Sequence, residues 1–105
     1  MGGDAVTREV RVLIYHSATD EAAILSAYHT VSEKMSQVPG MLGNELLHSM
    51  SEPNSYVVLS RWMDFESFRT WEQGAQHRNN TAALRPYRDE QMTMPFAVFE
   101  VGASY

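Results

Sequence analysis

The sequence contains no cysteine and almost no lysine. Without cysteine the chain has no disulfide framework, no thiolate metal site and no cysteine nucleophile, which is compatible with a reducing compartment. Lysine occurs only at Lys34, and 13 acidic residues outnumber 8 basic ones to give a net charge of -5. Because nucleic-acid binding depends on clustered cations, we expect no nucleic-acid partner.

Long apolar runs are also missing. No run approaches the roughly 20 residues needed to span a bilayer, so we expect no membrane partner. The first residues, Met1-Gly2-Gly3-Asp4, lack the basic flank and apolar stretch of a secretory leader, and we therefore expect a cytoplasmic location. A length of 105 residues suits one domain and is too short for two, so residues 1–105 are predicted to form a single domain.

Several catalytic templates are absent as well. The sequence has no glycine-rich phosphate loop, no His-Glu-x-x-His and no serine elbow. The four histidines lie on separate predicted elements without ligand spacing, so no metal site is predicted; they are His16, His29, His48 and His77.

The first half of the chain shows two different periods. Between Arg8 and His16, apolar side chains alternate, which predicts a strand with one face formed by Val10, Val12, Ile14 and His16. From Thr19 the period becomes helical, and Pro39-Gly40 ends the helix. Its apolar stripe consists of Ile24, Tyr28, Val31, Met35 and Val38.

The second half predicts a hairpin, a helical region and a last strand. The hairpin strands are Met41 to Met50 and Ser55 to Met63. Asp64 is a suitable N-cap for the helix that follows, and a second helical piece runs from about Ala75 to Arg85, stopped by Pro86. The last strand is Met94 to Val101.

The resulting order, β-α-β-β-α-β, predicts an α+β fold. The right-handed crossover rule makes it ferredoxin-like, with a four-stranded antiparallel sheet and both helices on one face. The other sheet face is left bare and partly apolar. Because such a face would be a sticky patch on a monomer, we expect two copies to pair as a homodimer.

Aromatic, imidazole and guanidinium groups are the candidates for a site. Trp62 ends the third strand beside Leu47 and His48 of the hairpin, and it either belongs to the core or walls a cavity beneath the second helix. Arg85 either compensates a helix dipole or donates a charge-assisted hydrogen bond to an anionic phenolate or enolate. His48 and His77 can each accept a proton near neutral pH.

Four short motifs have matching counterparts in one known family. They are Pro39-Gly40-Met41-Leu42-Gly43, Tyr56-Val57-Val58-Leu59-Ser60-Arg61-Trp62, Phe65-Glu66-Ser67-Phe68 and His77-Arg78. With these motifs the chain resembles the antibiotic biosynthesis monooxygenase family over nearly its whole length. The resemblance implies a dimeric α/β barrel made of two ferredoxin-like halves.

In the quinone-forming branch of that family, the resemblance implies pocket roles for Trp62 and Arg85. The implied enzyme is a cofactor-free monooxygenase that oxidises an aromatic polyketide-type phenol to a quinone with O2. Arg85 would hold the phenolate, Trp62 would stack on the ring or hydrogen-bond the oxygen species, and His48 would be the base. Substrate contacts are expected from Val58, Phe68 and Leu47, which stand where that branch carries polar residues, and from Trp71 and His77.

Two alternatives remain open. Trp71 and His77 resemble a helix tryptophan and a downstream histidine of the heme-degrading branch, which implies heme as an alternative cofactor. That branch also carries an asparagine on the first strand, near Val12 or Leu13 here. The second alternative is a non-catalytic protein in which the paired sheets form only a small-molecule-binding scaffold.

Overall fold

The computed structural model describes residues 8–105. The expectation about Met1 to Asp4 lies outside this range. The strands are β1 (Val10–Ser17), β2 (Met41–His48), β3 (Ser55–Trp62) and β4 (Phe96–Glu100), and the helices are α1 (Glu21–Met35), α2 (Phe65–Glu72) and α3 (His77–Thr81), followed by a 3-10 helix (Ala82–Tyr87).

The four strands form one antiparallel sheet in the order β2-β3-β1-β4. This is the predicted ferredoxin-like α+β fold, which is therefore confirmed. In the central pair, Val12 lies opposite Ser60 and His16 lies opposite Tyr56. Since paired residues point to the same side of a sheet, these four side chains share the face that the helices cover.

Two aspartates begin the main helices. Asp20 accepts a hydrogen bond from the backbone N–H of Ala23, 3.2 Å away, and Asp64 accepts one from Ser67 at 2.7 Å. Gly40, at φ 86°, makes the turn into β2, and a Cβ there would overlap the Ser67 side chain. Glycine is thus required both by the backbone angle and by the close approach of α2.

The core lies between the sheet and the helices. Ile24 and Trp62 are completely buried, and the rings of Trp62 and Phe68 meet edge to face at a centroid distance of 5.5 Å. The opposite face of the sheet has no cover within the described chain and carries apolar side chains. Leu47 is 41% exposed and Phe99 is 56% exposed.

The region after α2 corrects the predicted second helical piece. In place of a single helix from Ala75 to Arg85, α3 covers one turn and a half, and the 3-10 helix continues through Pro86. Proline lacks an N–H but is tolerated in short 3-10 turns, so Pro86 lies inside this segment and does not end it after Arg85, as the sequence pattern predicted.

Within residues 8–105, no helix combines the length and the apolar character that crossing a membrane would require.

Candidate functional site

A small cavity of about 60 Å³ lies between the sheet and the helices. We refer to it as the inner cavity. Its apolar and aromatic lining consists of Val12, Ile14, Val31, Met35, Val58, Phe68, Trp71 and Leu84. Its polar lining consists of His16, Tyr28, Ser32, Asn44, Ser60, His77, Thr81, Arg85 and Arg88.

The charged groups of the inner cavity all have the same sign. Arg85 and Arg88 contribute guanidinium groups, and no Asp or Glu is among the lining residues. Arg85 donates from Nη2 to the Thr81 hydroxyl at 3.4 Å. No ion pair joins either arginine to a carboxylate in the described part of the chain. In a chain of net charge -5, this cavity is a local cationic site.

His77 lies at the start of α3 and faces Trp71. The two rings meet edge to face with centroids 4.6 Å apart. Burial lowers the pKa of His77, and the positive charge of Arg85 lowers it further. The imidazole is therefore neutral near pH 7, where it can accept a proton.

His16 is a second imidazole of the inner cavity, contributed by β1. It is 4% exposed, and its Nδ1 lies 2.9 Å from the carbonyl oxygen of Ile14. Burial lowers the pKa of His16, while the hydrogen bond to Ile14 opposes this and the charge of Arg88 adds to it.

A hydroxyl and amide cluster forms another wall. Oδ1 of Asn44 accepts hydrogen bonds from the Tyr28 hydroxyl at 2.5 Å and from the Ser32 hydroxyl at 3.0 Å. Because two donors already occupy Oδ1, the amide group of Asn44 keeps its N–H donors for another partner.

Trp62 is not part of the cavity lining. Its ring is fully buried in the core, and its Nε1 donates to the hydroxyl of Ser60 at 2.9 Å. Ser60 does line the cavity. Trp62 therefore acts on the cavity from behind its wall, through this hydrogen bond to Ser60 and through ring contacts with the lining residues Phe68 and Trp71.

His48 and Leu47 also lie outside the cavity lining. The prediction that they lie beside Trp62 was wrong, because Trp62 lies opposite Met41 and the antiparallel register puts Leu47 and His48 at the other end of the hairpin. The His48 ring stacks on Tyr56 at a centroid distance of 4.2 Å, and its nitrogens lie 2.7 Å from the Pro53 carbonyl and 3.2 Å from a Glu21 carboxylate oxygen. Leu47 pairs with Val57 on the uncovered face of the sheet. Their predicted roles in catalysis and substrate binding stay predictions.

Trp71 separates the inner cavity from a larger surface groove. This outer groove has a volume of about 760 Å³, and Trp71 belongs to the lining of both spaces. The indole Nε1 of Trp71 is buried without a hydrogen-bond partner in residues 8–105. A buried donor left unpaired costs about 1–3 kcal/mol, so a ligand oxygen at this position would recover that cost.

The structure thus brings together Val58, Phe68, Trp71, His77 and Arg85 from the predicted set. The sequence interpretation missed His16, Asn44, Ser60 and Arg88. For His16 the signal was present, because it follows Val10, Val12 and Ile14 on the apolar face of β1.

No group of three or more His, Asp or Glu side chains that could hold a metal ion occurs in the part of the chain that the structure describes.

Comparison with known proteins gives a family match. The model of the family described as antibiotic biosynthesis monooxygenase matches residues 9–82. Protein SchA of Streptomyces halstedii is 28% identical over 91 residues, which are 85% of this chain and 24% of that protein. The chain therefore spans about a quarter of the length of this curated relative.

Solved structures share the fold. SnoaB, a cofactor-independent oxygenase from Streptomyces nogalater, superposes with a TM-score of 0.74 at 20% identity, covering 94% of this chain and 97% of that one. The heme-degrading protein Rv3592 from Mycobacterium tuberculosis gives a TM-score of 0.70 at 17% identity, covering 94% and 97%. At these identities the likeness shows the fold alone.

Proposed function

Because the chain belongs to the antibiotic biosynthesis monooxygenase family, we propose that it is a cofactor-independent monooxygenase that oxidises a polycyclic phenol to a quinone with O2. One observation carries the proposal: the inner cavity has aromatic and apolar walls and two guanidinium groups, with no carboxylate in its lining. Phenolate, superoxide and peroxide are all anions. A preorganised cationic site stabilises such charges as they develop.

The chemistry needs only the phenol and O2. Loss of the phenolic proton gives a phenolate, which transfers one electron to O2. The resulting superoxide and phenoxyl radical combine at a ring carbon to form a peroxide. The O–O bond then breaks as the proton on that carbon is lost, so that one oxygen atom stays as the quinone carbonyl and the other leaves as water.

The side chains of the cavity divide this work. Arg85 holds the phenolate with a charge-assisted hydrogen bond, which is stronger than a neutral one. The amide of Asn44 and the hydroxyl of Ser60 donate to the oxygen species. Val58 and Phe68 exclude water from the reacting ring, and in a dry site each electrostatic contact gains strength.

Access to the site requires Trp71 to move. A volume of about 60 Å³ holds O2 or water, whereas drug-sized ligands occupy pockets of roughly 300–1,000 Å³. Rotation of Trp71 would join the inner cavity to the outer groove of about 760 Å³. A polycyclic substrate would then extend from the groove, with its reacting ring near Arg85.

We further propose that two copies pair through the uncovered face of the sheet. This face carries Leu13, Leu59 and Phe99 at and around the centre of the sheet. Pairing would remove these side chains from water, as the hydrophobic effect favours.

Heme degradation is the second candidate, suggested by the contact between Trp71 and His77. The remaining residues do not fit heme. The strand position that would supply a polar group falls near Val12, a hydrocarbon wall of the cavity, or Leu13, on the uncovered face of the sheet. In addition, the positive charge of Arg85 lowers the pKa of His77. A hemin titration tests this candidate: a Soret band that is lost in His77→Ala would support it, and a flat titration would reject it.

The main test uses chelator-treated protein and isotopically labelled O2, with anthrone, whose enol tautomer is a polycyclic phenol, as the substrate. We expect O2 consumption above the buffer rate and one labelled oxygen in the anthraquinone product. Anthraquinone without label, which would have taken its new oxygen from water, or O2 uptake equal to that of buffer, would refute the oxygenase. Tight binding of the ring system without O2 uptake would instead support the non-catalytic scaffold.

A further inference from the structure

His16 has one free ring nitrogen at the wall of the inner cavity. We propose that His16 is the proton acceptor of this site and takes the phenolic proton of an aromatic ligand on Nε2. The inference rests on the proposed function, because the ligand class is the same. It assigns the base to a residue on β1 in place of His48 or His77.

The hydrogen bond of His16 fixes its tautomer. A backbone carbonyl oxygen can only accept, so the contact of Nδ1 with Ile14 at 2.9 Å requires the proton to be on Nδ1. Nε2 then carries the lone pair. Within residues 8–105, Nε2 of this buried ring makes no hydrogen bond to another residue. It is the ring nitrogen left for a ligand.

The surroundings of His16 keep the ring neutral until a ligand arrives. Arg88 lies opposite His16 in an isolated backbone β-bridge, and Tyr56 lies opposite it on β3. Tyr28 of α1 lines the same cavity. The remaining titratable and charged lining groups are His77 and Arg85, from α3 and the 3-10 helix.

Both the burial of His16 and the charge of Arg88 lower its pKa. At pH 7 the imidazole is therefore unprotonated and ready to accept a proton.

The proton moves directly from the phenol to His16. The phenolic O–H bond breaks, an N–H bond forms on Nε2, and no electrons change hands. The products are a phenolate and the imidazolium of His16. Arg85 and Arg88 face the same space and stabilise the phenolate. When the O–O bond breaks, the departing oxygen takes this proton from Nε2 and the proton lost from the ring carbon, so that it leaves as water and the imidazole is neutral again.

The other two candidates are less well placed. The His77 ring also lines the cavity and meets Trp71 edge to face at 4.6 Å, but within residues 8–105 no hydrogen bond to its ring nitrogens fixes which of them carries the proton. His48 is held between Tyr56, Pro53 and Glu21 at the edge of the sheet and does not line the cavity.

The test follows proton transfer without turnover. The probe is 2-hydroxyanthraquinone, whose absorption changes when its phenol ionises. Bound to the wild-type protein, the dye should have a pKa at least about one unit below that of the free dye. His16→Asn keeps an N–H near the position of Nδ1 and removes Nε2, so the bound dye should lose most of this shift. His29→Gln, an exposed histidine on α1, should leave it unchanged.

Nitrogen NMR of the wild-type protein provides a measurement that needs no variant. Without the dye, Nε2 of His16 should be unprotonated, and with the dye both ring nitrogens should carry protons. The proposal would be overturned if Nε2 stayed unprotonated in the complex, or if folded His16→Asn still lowered the pKa of the bound dye as much as the wild-type protein does. It would also be overturned if the wild-type protein did not ionise the dye. Ionisation of the dye by the wild-type protein, together with no O2 uptake in the separate anthrone experiment, would refute the oxygenase and leave His16 as the proton acceptor.

Discussion

The indole nitrogen of Trp62 donates to the hydroxyl of Ser60 at 2.9 Å, and this bond connects the buried core to the inner cavity. Because the serine oxygen accepts from the indole, its own proton is free to be donated into the cavity. The bond therefore both satisfies a buried N–H and orients a cavity donor.

The bond predicts a non-additive pair of substitutions. Ser60→Ala should lower the free energy of unfolding by about 1–3 kcal/mol, because it leaves the indole N–H of Trp62 buried and unpaired. Adding Trp62→Phe removes that unpaired donor, so the double variant should be less unstable than the sum of the single variants by about 1 kcal/mol. Urea denaturation of the four proteins measures this coupling. Strictly additive losses would show that the bond does not stabilise the fold.

Arg85→Gln should reduce turnover of an anthrone probe by about 10²–10³-fold, because it removes the charge that stabilises the developing oxyanion. The matched control is Arg69→Gln, which changes an exposed arginine that lies 5.8 Å from the Phe65 ring on α2. Oxygen-electrode rates at saturating probe provide the measurement. Equal rates for Arg85→Gln and the wild-type protein would remove Arg85 from the mechanism.

Sequence periodicity was sufficient for the sheet, because strands and helices differ in the spacing of their apolar side chains. It also placed His16 on the buried face of β1. It could not show that Arg88 would lie beside His16. The two residues form an isolated backbone β-bridge although they are 72 positions apart, and Arg88 is brought there by the 3-10 helix that precedes it.

The hydrogen bonds of Asn44 could not be predicted from the sequence either. Its partners Tyr28 and Ser32 precede it by 16 and 12 residues on a different element. No local pattern on β2 predicts which side chains will meet it. For Trp62 the sequence left core and cavity open, and its complete burial beside Ser60 follows from tertiary packing.

Stability should decrease as the pH falls from about 7.5 to 5. Burial lowers the pKa of both His16 and His77, whereas in the unfolded chain a histidine titrates near about 6.5. Below that pH the unfolded state binds more protons than the folded state, so protonation favours unfolding. Thermal melts across this range test the prediction, and His77→Gln should give a shallower slope. A slope equal to that of the wild-type protein would exclude a contribution from His77.

Leu59→Lys should separate the proposed dimer. Leu59 lies on β3, an inner strand of the sheet, opposite Leu13 of β1 on the uncovered face. A lysine buried there without a partner would weaken association by at least about a hundredfold. Sedimentation equilibrium measures the change, with Leu25→Lys on an exposed position of α1 as the control. A wild-type protein that sediments as a monomer at high concentration would contradict the paired-sheet arrangement.

The charge distribution of the protein also affects how substrate enters the site and how product leaves it. The chain as a whole is anionic, and at long range it repels a phenolate that has already formed in solution. A neutral phenol meets no such barrier, and it acquires its charge only after it reaches the guanidinium groups of the inner cavity. The quinone is neutral again, so those groups no longer hold it. Because the phenol loses its proton only inside the inner cavity, the same step explains both why the substrate can enter and why the quinone can leave.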